Sequence, residues 1–551
     1  MAEPFIQHVP APLTRFDVWT AGAVLIAALV LLPIGSILWI ALTPVENIWP
    51  HLLATVLPRY LATTLGLMFG VAVLSAIMGT GTAWLISQYR FPGRDWLAHG
   101  LFLPLAIPAY VGAYALVDFL DYAGPLQTAL RASFGWTSAR DYWFFEIRSL
   151  GMAILVLSLA LYPYVYLLAR AAWREQSGSA YEVARALGCG PWGLFWRIGL
   201  PMARPAIAAG VALALMETVA DYGAVQHFGV QTLTTGIFTT WLNGGNAGGA
   251  AQIAGVILVL ILGLLGAERA GRGGAQFYRL GRSSRPIQRQ TLVGPMRWLA
   301  TVVCLVPFVG GFVVPVAVML ALSREAPGGW FTPGLLRALA NTLAVGGGAA
   351  VVTVAAALFV VYAVRLSRSR LVVWVTPVML IGYAAPGAVL ALGLLIPLAA
   401  LDHHLADAVL ALTGQDPGLV ITGTAFALGI AYLVRFFGIA QGALDAAFGR
   451  VSPSLPMAAR SLGRTAGGTL TSVYLPSVRG SVLVALLVVF VDCVKELPAT
   501  LLLRPFNYNT LSTRVFELAS LERLSEAAPA ALLVMAVGLV AVGLVAHGQR
   551  D

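Results

Sequence analysis

The sequence predicts an all-α membrane protein of about twelve transmembrane helices, arranged as two parallel six-helix halves. Three observations carry that prediction. Hydrophobic residues make up 59% of the 551 residues and charged residues only 11%, with a mean hydropathy of +0.83. That is more apolar surface than a water-soluble fold can hide. Runs of about 20 apolar residues, enough to cross roughly 30 Å of hydrocarbon as helix, recur along the whole length. A polar, amphipathic passage, Glu182 to Pro201, returns as Met457 to Pro476 with its internal distances unchanged. Gly188 and Gly463 stand 275 residues apart, and so do Leu200-Pro201 and Leu475-Pro476.

Taken in order, the apolar runs place spans at 18–42, 60–87, 97–120, 147–172, 203–224 and 251–268. A second set follows at 297–322, 338–364, 372–398, 419–444, 478–497 and 528–547. Residues 1–268 form the first half, 269–296 a basic linker and 297–551 the second half. Met1 to Thr20 is polar and carries Arg15, but no small-residue cleavage site closes the apolar run that follows. Residues 19–42 are therefore expected to be a retained first span rather than a removed signal. Pro104, Pro108, Pro377 and Pro386 fall inside spans, where neighbouring helices can satisfy the freed backbone groups.

The repeat extends beyond the polar passage. Thr64-Leu65 matches Thr342-Leu343, Pro108 matches Pro386, and Thr232-Leu233-Thr234-Thr235 matches Thr510-Leu511-Ser512-Thr513, all at an offset of 278. Six spans separate equivalent points, so the halves point the same way, related by an axis along the membrane normal.

Arginine sets the orientation, since Lys495 is the only lysine. Arg90 and Arg94 follow the second span, and Arg365, Arg368 and Arg370 follow the eighth. The linker holds Arg269, Arg272, Arg279, Arg282, Arg285, Arg289 and Arg297 against Glu268. Positive loops resist translocation, so these loops, both termini and both polar passages are expected to face the cytoplasm. An opposite loop carries Asp402, His403, His404, Asp407 and Asp416 with no arginine. The net charge of +10 thus reads as membrane orientation, with the lipid bilayer and not nucleic acid as the partner. Cys189, Cys304 and Cys493 have no metal-ligand spacing and form no disulfide framework.

Within the polar passage, Glu182 to Leu187 should be helical and Gly188 should end or bend that helix. Trp192, Phe195 and Ile198 then offer apolar contacts, and Pro201 begins the next span. A single such element would read as a helix lying on lipid headgroups. Two copies at fixed spacing read as knobs shaped for grooves in another protein.

The spacing Glu-x-Ala-x3-Gly-x9-Ile-x-Leu-Pro resembles the "EAA" loop of ABC importer permeases. Glu182, Ala184, Gly188, Ile198, Leu200 and Pro201 fit in the first copy, with Val183 in place of the first alanine. Ala458, Ala459, Gly463, Leu475 and Pro476 fit in the second, with Val473 at the isoleucine position and Met457 where the glutamate belongs. The resemblance covers nearly the whole chain. It implies a fused permease of the type I ABC importer fold in the bacterial inner membrane. It further implies two ABC ATPase subunits docked on the inward knobs and a periplasmic binding protein outside. The Met457 departure implies that the two ATPase contacts are not equivalent. A phosphate-binding loop needs a lysine after glycine, and the sole lysine sits in VDCVKEL. ATP and Mg are therefore expected on the partners, with no cofactor and no catalytic residue on this chain.

At the 275 offset Glu217 matches Asp492 and Asp221 matches Glu496. Spaced four apart, each pair is expected on one helix face near the outer end of the fifth or eleventh span. Intramembrane charges cost about 2.5–3.5 kcal/mol on insertion scales and usually face a cavity or a partner. Two readings stand side by side. Glu217, Asp221, Asp492, Lys495 and Glu496 line the outer mouth of a cation pathway, or Lys495 pairs with an acid and the others reach the interface. The segments beginning at Glu217 and Lys495 resemble those of ferric-iron importer permeases, and a hard trivalent ion takes oxygen ligands. Related permeases carry thiamine, polyamines, sulfate or aminoethylphosphonate, and those substrates stay open. Tyr222 and His227 are further ligand candidates, though a lone histidine near an outer loop is more often solvated. A proton-coupled secondary transporter would share twelve spans but would not need matched knobs. A membrane-embedded enzyme is disfavoured because His403-His404 has no further histidines beside it.

Overall fold

Residues 17–176, 178–272, 288–366 and 369–548 are described by the computed structural model, and they are overwhelmingly helical. Arg15, Arg279, Arg282, Arg285 and Arg368 lie outside the described residues. Among the described residues eleven helices are long and apolar enough to cross a membrane, or twelve with one bent pair counted as a span. Helix is the form that satisfies every backbone group inside its own segment, which hydrocarbon demands. The fold is an all-helical one with many membrane-length helices, as the composition predicts.

The third span of each half is not continuous, contrary to the expectation for 97–120 and 372–398. In the first half Arg94–Gly100 and the turn Leu103–Ala106 lead to Ala109–Leu120, and the chain bends there by 99°. Ile107 is extended (φ −99°, ψ 123°) and Pro108 caps the next helix. In the second half Ile381–Ala384 gives way to Gly387–Thr413, with Pro386 at the same capping position. Proline has no N–H to donate and drives its preceding residue out of the α region, so the matched prolines break the span rather than kink it.

The fifth and eleventh spans begin well before 203 and 478, at Pro191–Ala220 and Ala466–Lys495. Each polar passage therefore runs into its span through a wide turn, Phe195–Gly199 in one and Leu470–Tyr474 in the other. Both turns carry i→i+5 bonds, from Leu200 N–H to Phe195 O and from Leu475 N–H to Leu470 O. The cause lies just downstream. Pro201 and Pro476 cannot donate to the carbonyls of Arg197 and Ser472 four residues back, and the helix widens there.

The chain packs as two compact units that do not follow the sequence boundaries at 268 and 297. One unit joins the segment ending at Trp39 to Ala340–Tyr508; the other joins Ile40–Leu339 to the segment from Asn509 onward. In the first of these, Trp19 stacks on Phe359 at 5.0 Å and Gly22 lies under the same ring. In the second, Gly79 and Gly210 let two helices close on Val165 of Leu150–Glu175. A Cβ on either glycine would stand 2.6 Å from Val165 atoms. Small residues at crossings are how helices gain dispersion contact where lipid removes the hydrophobic drive. A two-residue parallel pairing, Tyr89 with Gln290 and Arg90 with Thr291, ties the end of the linker to the loop after the second span.

Candidate functional site

The first polar passage is a helix, Gly178–Ala186, closed at Gly188. Gly188 has φ +82°, the left-handed region that a Cβ disfavours. The Cys189 N–H donates back to the Ala184 carbonyl at 3.0 Å and the Gly188 N–H to the Arg185 carbonyl at 2.9 Å. This is a Schellman closure, in which the chain reverses and leftover helix carbonyls are satisfied. The motif alanine thus has two duties. Its side chain is buried, and its carbonyl holds the end of the turn.

An aromatic box anchors the element from beneath. The Trp84 ring lies 5.2 Å from Trp173, 5.2 Å from Phe195 and 6.2 Å from Tyr181. Trp173 Nε1 donates to the Gly199 carbonyl at 3.0 Å, and Tyr181 Oη donates to Gln176 Oε1 at 2.6 Å. Ile198 is partly buried against this cluster, and Leu200 and Pro201 start the following helix. The opposite face is open: Glu182 and Gly188 are exposed, with Val183, Leu187, Trp192 and Trp196 showing large apolar surface. Neither Trp84 nor Trp173 stood out in the sequence, because both are aromatic residues inside apolar runs.

The second passage repeats this geometry closely. Ser454–Ser461 ends at Gly463, φ +80°, with Arg464 N–H to Ala459 O at 3.0 Å and Gly463 N–H to Arg460 O at 3.0 Å. Its box is Tyr362, Phe448 and Tyr474, with Phe448 and Tyr474 stacked at 4.8 Å. Tyr362 Oη donates to the Ala466 carbonyl at 2.6 Å. Met457 and Ala458 are exposed and Ala459 and Val473 half-buried, with Leu475 and Pro476 opening the helix. The exposed apolar side chains here are Leu455, Met457 and Leu462; no tryptophan corresponds to Trp192 or Trp196.

Comparison with known proteins bears on what such paired elements belong to. Residues 77–267 match the family described as binding-protein-dependent transport system inner membrane component. An Fe(3+)-transport system permease protein of Haemophilus influenzae is 28% identical over 481 residues, covering 86% of this chain and 87% of that one. The molybdenum transport system permease protein of Escherichia coli is 30% identical over 232 residues, 98% of its own length and 39% of this chain. The chain belongs to the binding-protein-dependent transport permeases. A probable sulfate transport system permease protein of Marchantia polymorpha, 26% identical over 218 residues, covers 39% of the permease and 72% of itself. The permease is accordingly a multi-pass inner-membrane transport subunit.

The five charged residues at the C-terminal ends of the fifth and eleventh spans fall into separate units. Glu217 and Asp221 belong to one, Asp492, Lys495 and Glu496 to the other, and no unit contains all four acids. Nor does either pair share a helix face. The helices stop at Ala220 and Lys495, and Asp221 (ψ 132°) and Glu496 (ψ 125°) are already extended. Each of these two carboxylates turns to the short helix that follows. Asp221 Oδ1 accepts the N–H groups of Ala224 at 3.0 Å and Val225 at 3.2 Å, at the start of Gly223–His227. Glu496 accepts Ala499 N–H at 3.0 Å, Thr500 N–H at 2.9 Å and the Thr500 hydroxyl at 2.8 Å, at the start of Pro498–Leu503.

Glu496 also faces Arg435, Nε to Oε1 at 3.9 Å, both side chains nearly dry. Gly387, just past the broken proline, leaves room for that pair; a Cβ there would run into both side chains. The corresponding first-half positions carry Ala109 and Ala160, so the arginine is one-sided. Glu217 and Asp492 are half-buried on their helices. Tyr222 stacks on Phe238 at 3.7 Å, and His227 packs edge-on against Tyr114 at 4.6 Å. Among the described residues, no group of three or more His, Cys, Asp or Glu is placed to hold a metal.

Proposed function

We propose that this permease is the membrane subunit of an ATP-driven importer that takes ferric iron from a periplasmic binding protein into the cytoplasm. Two ABC ATPase subunits supply the work, one on each polar passage. The observation that supports this is the pair of glycine-closed helices with exposed outer faces, the inner face buried at Tyr181 and Ala184 in the first and half-buried at Ala459 in the second. An element meant only to lie on lipid has no need to be built twice to the same hydrogen-bond pattern. Closure of the ATPases would press on Glu182, Ala184, Gly188 and their second-half counterparts. The stiff helices beginning at Leu200-Pro201 and Leu475-Pro476 would carry the motion to the outer ends. The chain itself holds no nucleotide and acts as no enzyme; ATP and Mg sit on the partners.

Iron is favoured by the relative that covers most of the chain, and carboxylates suit a hard trivalent cation. Asp221 and Glu496 are committed to capping, so the pathway role falls to Glu217 and Asp492. The molybdenum and sulfate permeases among the relatives support a second reading, an oxyanion substrate. Reconstituted vesicles with ATPase and binding protein decide between them. Radiolabelled iron uptake that needs ATP and ignores molybdate, sulfate, thiamine and spermidine is the expected result. Competition by one of those solutes transfers the assignment to it. Uptake that survives without the ATPase and collapses with an uncoupler removes the whole reading in favour of a secondary transporter.

A further inference from the structure

The end of the larger unit that carries Arg90 and Arg94 holds a concentration of positive charge that the transport reading leaves unused. The strand pairing of Tyr89–Arg90 with Gln290–Thr291 brings Arg289, from the linker, beside the loop after the second span. The Leu292 N–H donates to the Arg90 carbonyl at 3.0 Å and fixes that register. Arg90, Arg94 and Arg174 all lie close enough for their charges to help lower the pKa of Arg289, after partial burial as the main cause. Asp95 pairs with Arg94, and Glu175 follows Arg174 in sequence. Arg297 follows two residues into the next helix. Arg94 is partly committed to structure, donating Nε to the Ile86 carbonyl at 3.0 Å. Arg90, Arg174, Arg289 and Arg297 are exposed.

What adjoins this cluster is apolar and faces outward. The helix Pro295–Phe308 is fastened beside it by Thr301 Oγ1 to the Pro92 carbonyl at 2.9 Å and by Trp96 edge-on to Phe308 at 4.9 Å. Its exposed residues Leu299, Val302, Val303 and Val306 fall at helical i, i+3, i+4, i+7 spacing, a continuous apolar stripe running away from the arginines. Trp96 and Trp298 are half-exposed at the junction, and the Arg297 guanidinium lies 5.5 Å from the Trp298 ring. The order along the surface is cation, indole, aliphatic. That is the order of a phospholipid's phosphate, its interfacial zone and its acyl chain.

We propose that Arg90, Arg174 and Arg289 bind the phosphate of an anionic phospholipid whose acyl chain lies along Leu299, Val302, Val303 and Val306. The linker supplies one of the three arginines, so the bound lipid pins the linker end to the loop after the second span. The site is independent of which solute the permease carries.

Native mass spectrometry of the purified full chain, titrated with phosphatidylglycerol and with phosphatidylcholine of the same acyl chains, tests this. The expected result is retention of phosphatidylglycerol at concentrations roughly tenfold or more below phosphatidylcholine. The double variant Arg90→Gln/Arg289→Gln should bring the two lipids level, whereas Arg90→Lys/Arg289→Lys should keep most of the preference. Arg140→Gln, on a different loop, should leave it intact. A monodisperse double variant with unchanged phosphatidylcholine binding shows that the fold has survived. Equal retention of both lipids by the native chain overturns the proposal, leaving the arginines as topology signals only. So does an unaltered preference in the glutamine variant. Displacement of the phosphatidylglycerol by millimolar inorganic phosphate would assign the arginines to a free anion and overturn the lipid.

Discussion

Trp84 stands so close over Gly199 that a methyl group on the glycine would overlap the indole ring. At the equivalent places of the second half the sizes are exchanged: Tyr362 replaces the tryptophan and Tyr474 the glycine. Trp173, which bonds to the Gly199 carbonyl, is likewise matched by the smaller Phe448. Each box is filled, but by a different division of volume. Gly199→Ala is therefore expected to destabilise the protein by about 1–3 kcal/mol through overpacking. Adding Trp84→Tyr should recover part of that loss, with an interaction energy of about 0.5–3 kcal/mol in a double-mutant cycle. Thermal midpoints of the detergent-purified chain measure both. A Gly199→Ala variant as stable as the native chain contradicts the packing argument.

The two glycines that close the exposed helices differ by only 2° in φ, +82° at Gly188 and +80° at Gly463. A non-glycine residue there pays about 1–2 kcal/mol for the left-handed conformation. Gly188→Ala and Gly463→Ala should each loosen the turn and lower binding-protein-stimulated ATP hydrolysis in the assembled importer. Asparagine, which tolerates this region better, should impair less than alanine at both sites. Equal activity for alanine and asparagine would detach the effect from backbone geometry.

Much of this architecture could be seen in the chain itself, because it is written in local patterns. Apolar runs mark spans, and Gly188, Pro201 and their counterparts punctuate the passages through backbone preferences that act within a few residues. Thr232 and Thr510, matched by sequence alone, prove to cap their helices with the same reciprocal bonds to Thr235 and Thr513. What escaped depends on contacts distant in sequence. Pro108 and Pro386 are compatible with either a kink or a break. Asp221 and Glu496 looked like the second members of i, i+4 pairs only on the assumption that their helices continued. The apolar sequence of 18–39 carries no mark of its partner, yet it packs with Ala340–Tyr508, more than 300 residues away.

The exposed surfaces of the two passages differ in kind. Glu182 on the first is joined by Trp192, 75% exposed, and Trp196, 59% exposed; the second offers Met457, 67% exposed, and Leu462, 84% exposed. Exposed tryptophans at an interface often carry more than 2 kcal/mol of binding energy. Trp192→Ala should thus weaken ATPase docking on the first passage by at least tenfold. Glu182→Gln should flatten that contact's dependence on ionic strength, while Met457→Ala leaves salt dependence unchanged because no charge is lost. Surface-immobilised permease titrated with ATPase subunit at low and high salt gives the comparison. Identical salt profiles for Glu182→Gln and Met457→Ala would mean that the two contacts are equivalent.

The capping carboxylates and the half-buried ones should separate stability from transport. Asp221→Ala removes the acceptor for two N–H groups and should cost about 0.5–2 kcal/mol, with Asp221→Asn, itself a good cap, close to native. Glu496→Ala is expected to be worse, about 3–5 kcal/mol, because it leaves the Arg435 guanidinium buried without its carboxylate. Replacing both members, Glu496→Met with Arg435→Met, should restore part of the loss, since no charge is then stranded. Glu217→Ala and Asp492→Ala leave both capping carboxylates, Asp221 and Glu496, in place. Their thermal midpoints should stay within a few degrees of the native protein while solute uptake by the reconstituted importer falls. If instead Glu217→Ala and Asp492→Ala unfold the permease and Glu496→Ala spares it, the assignment of capping and pathway roles is reversed.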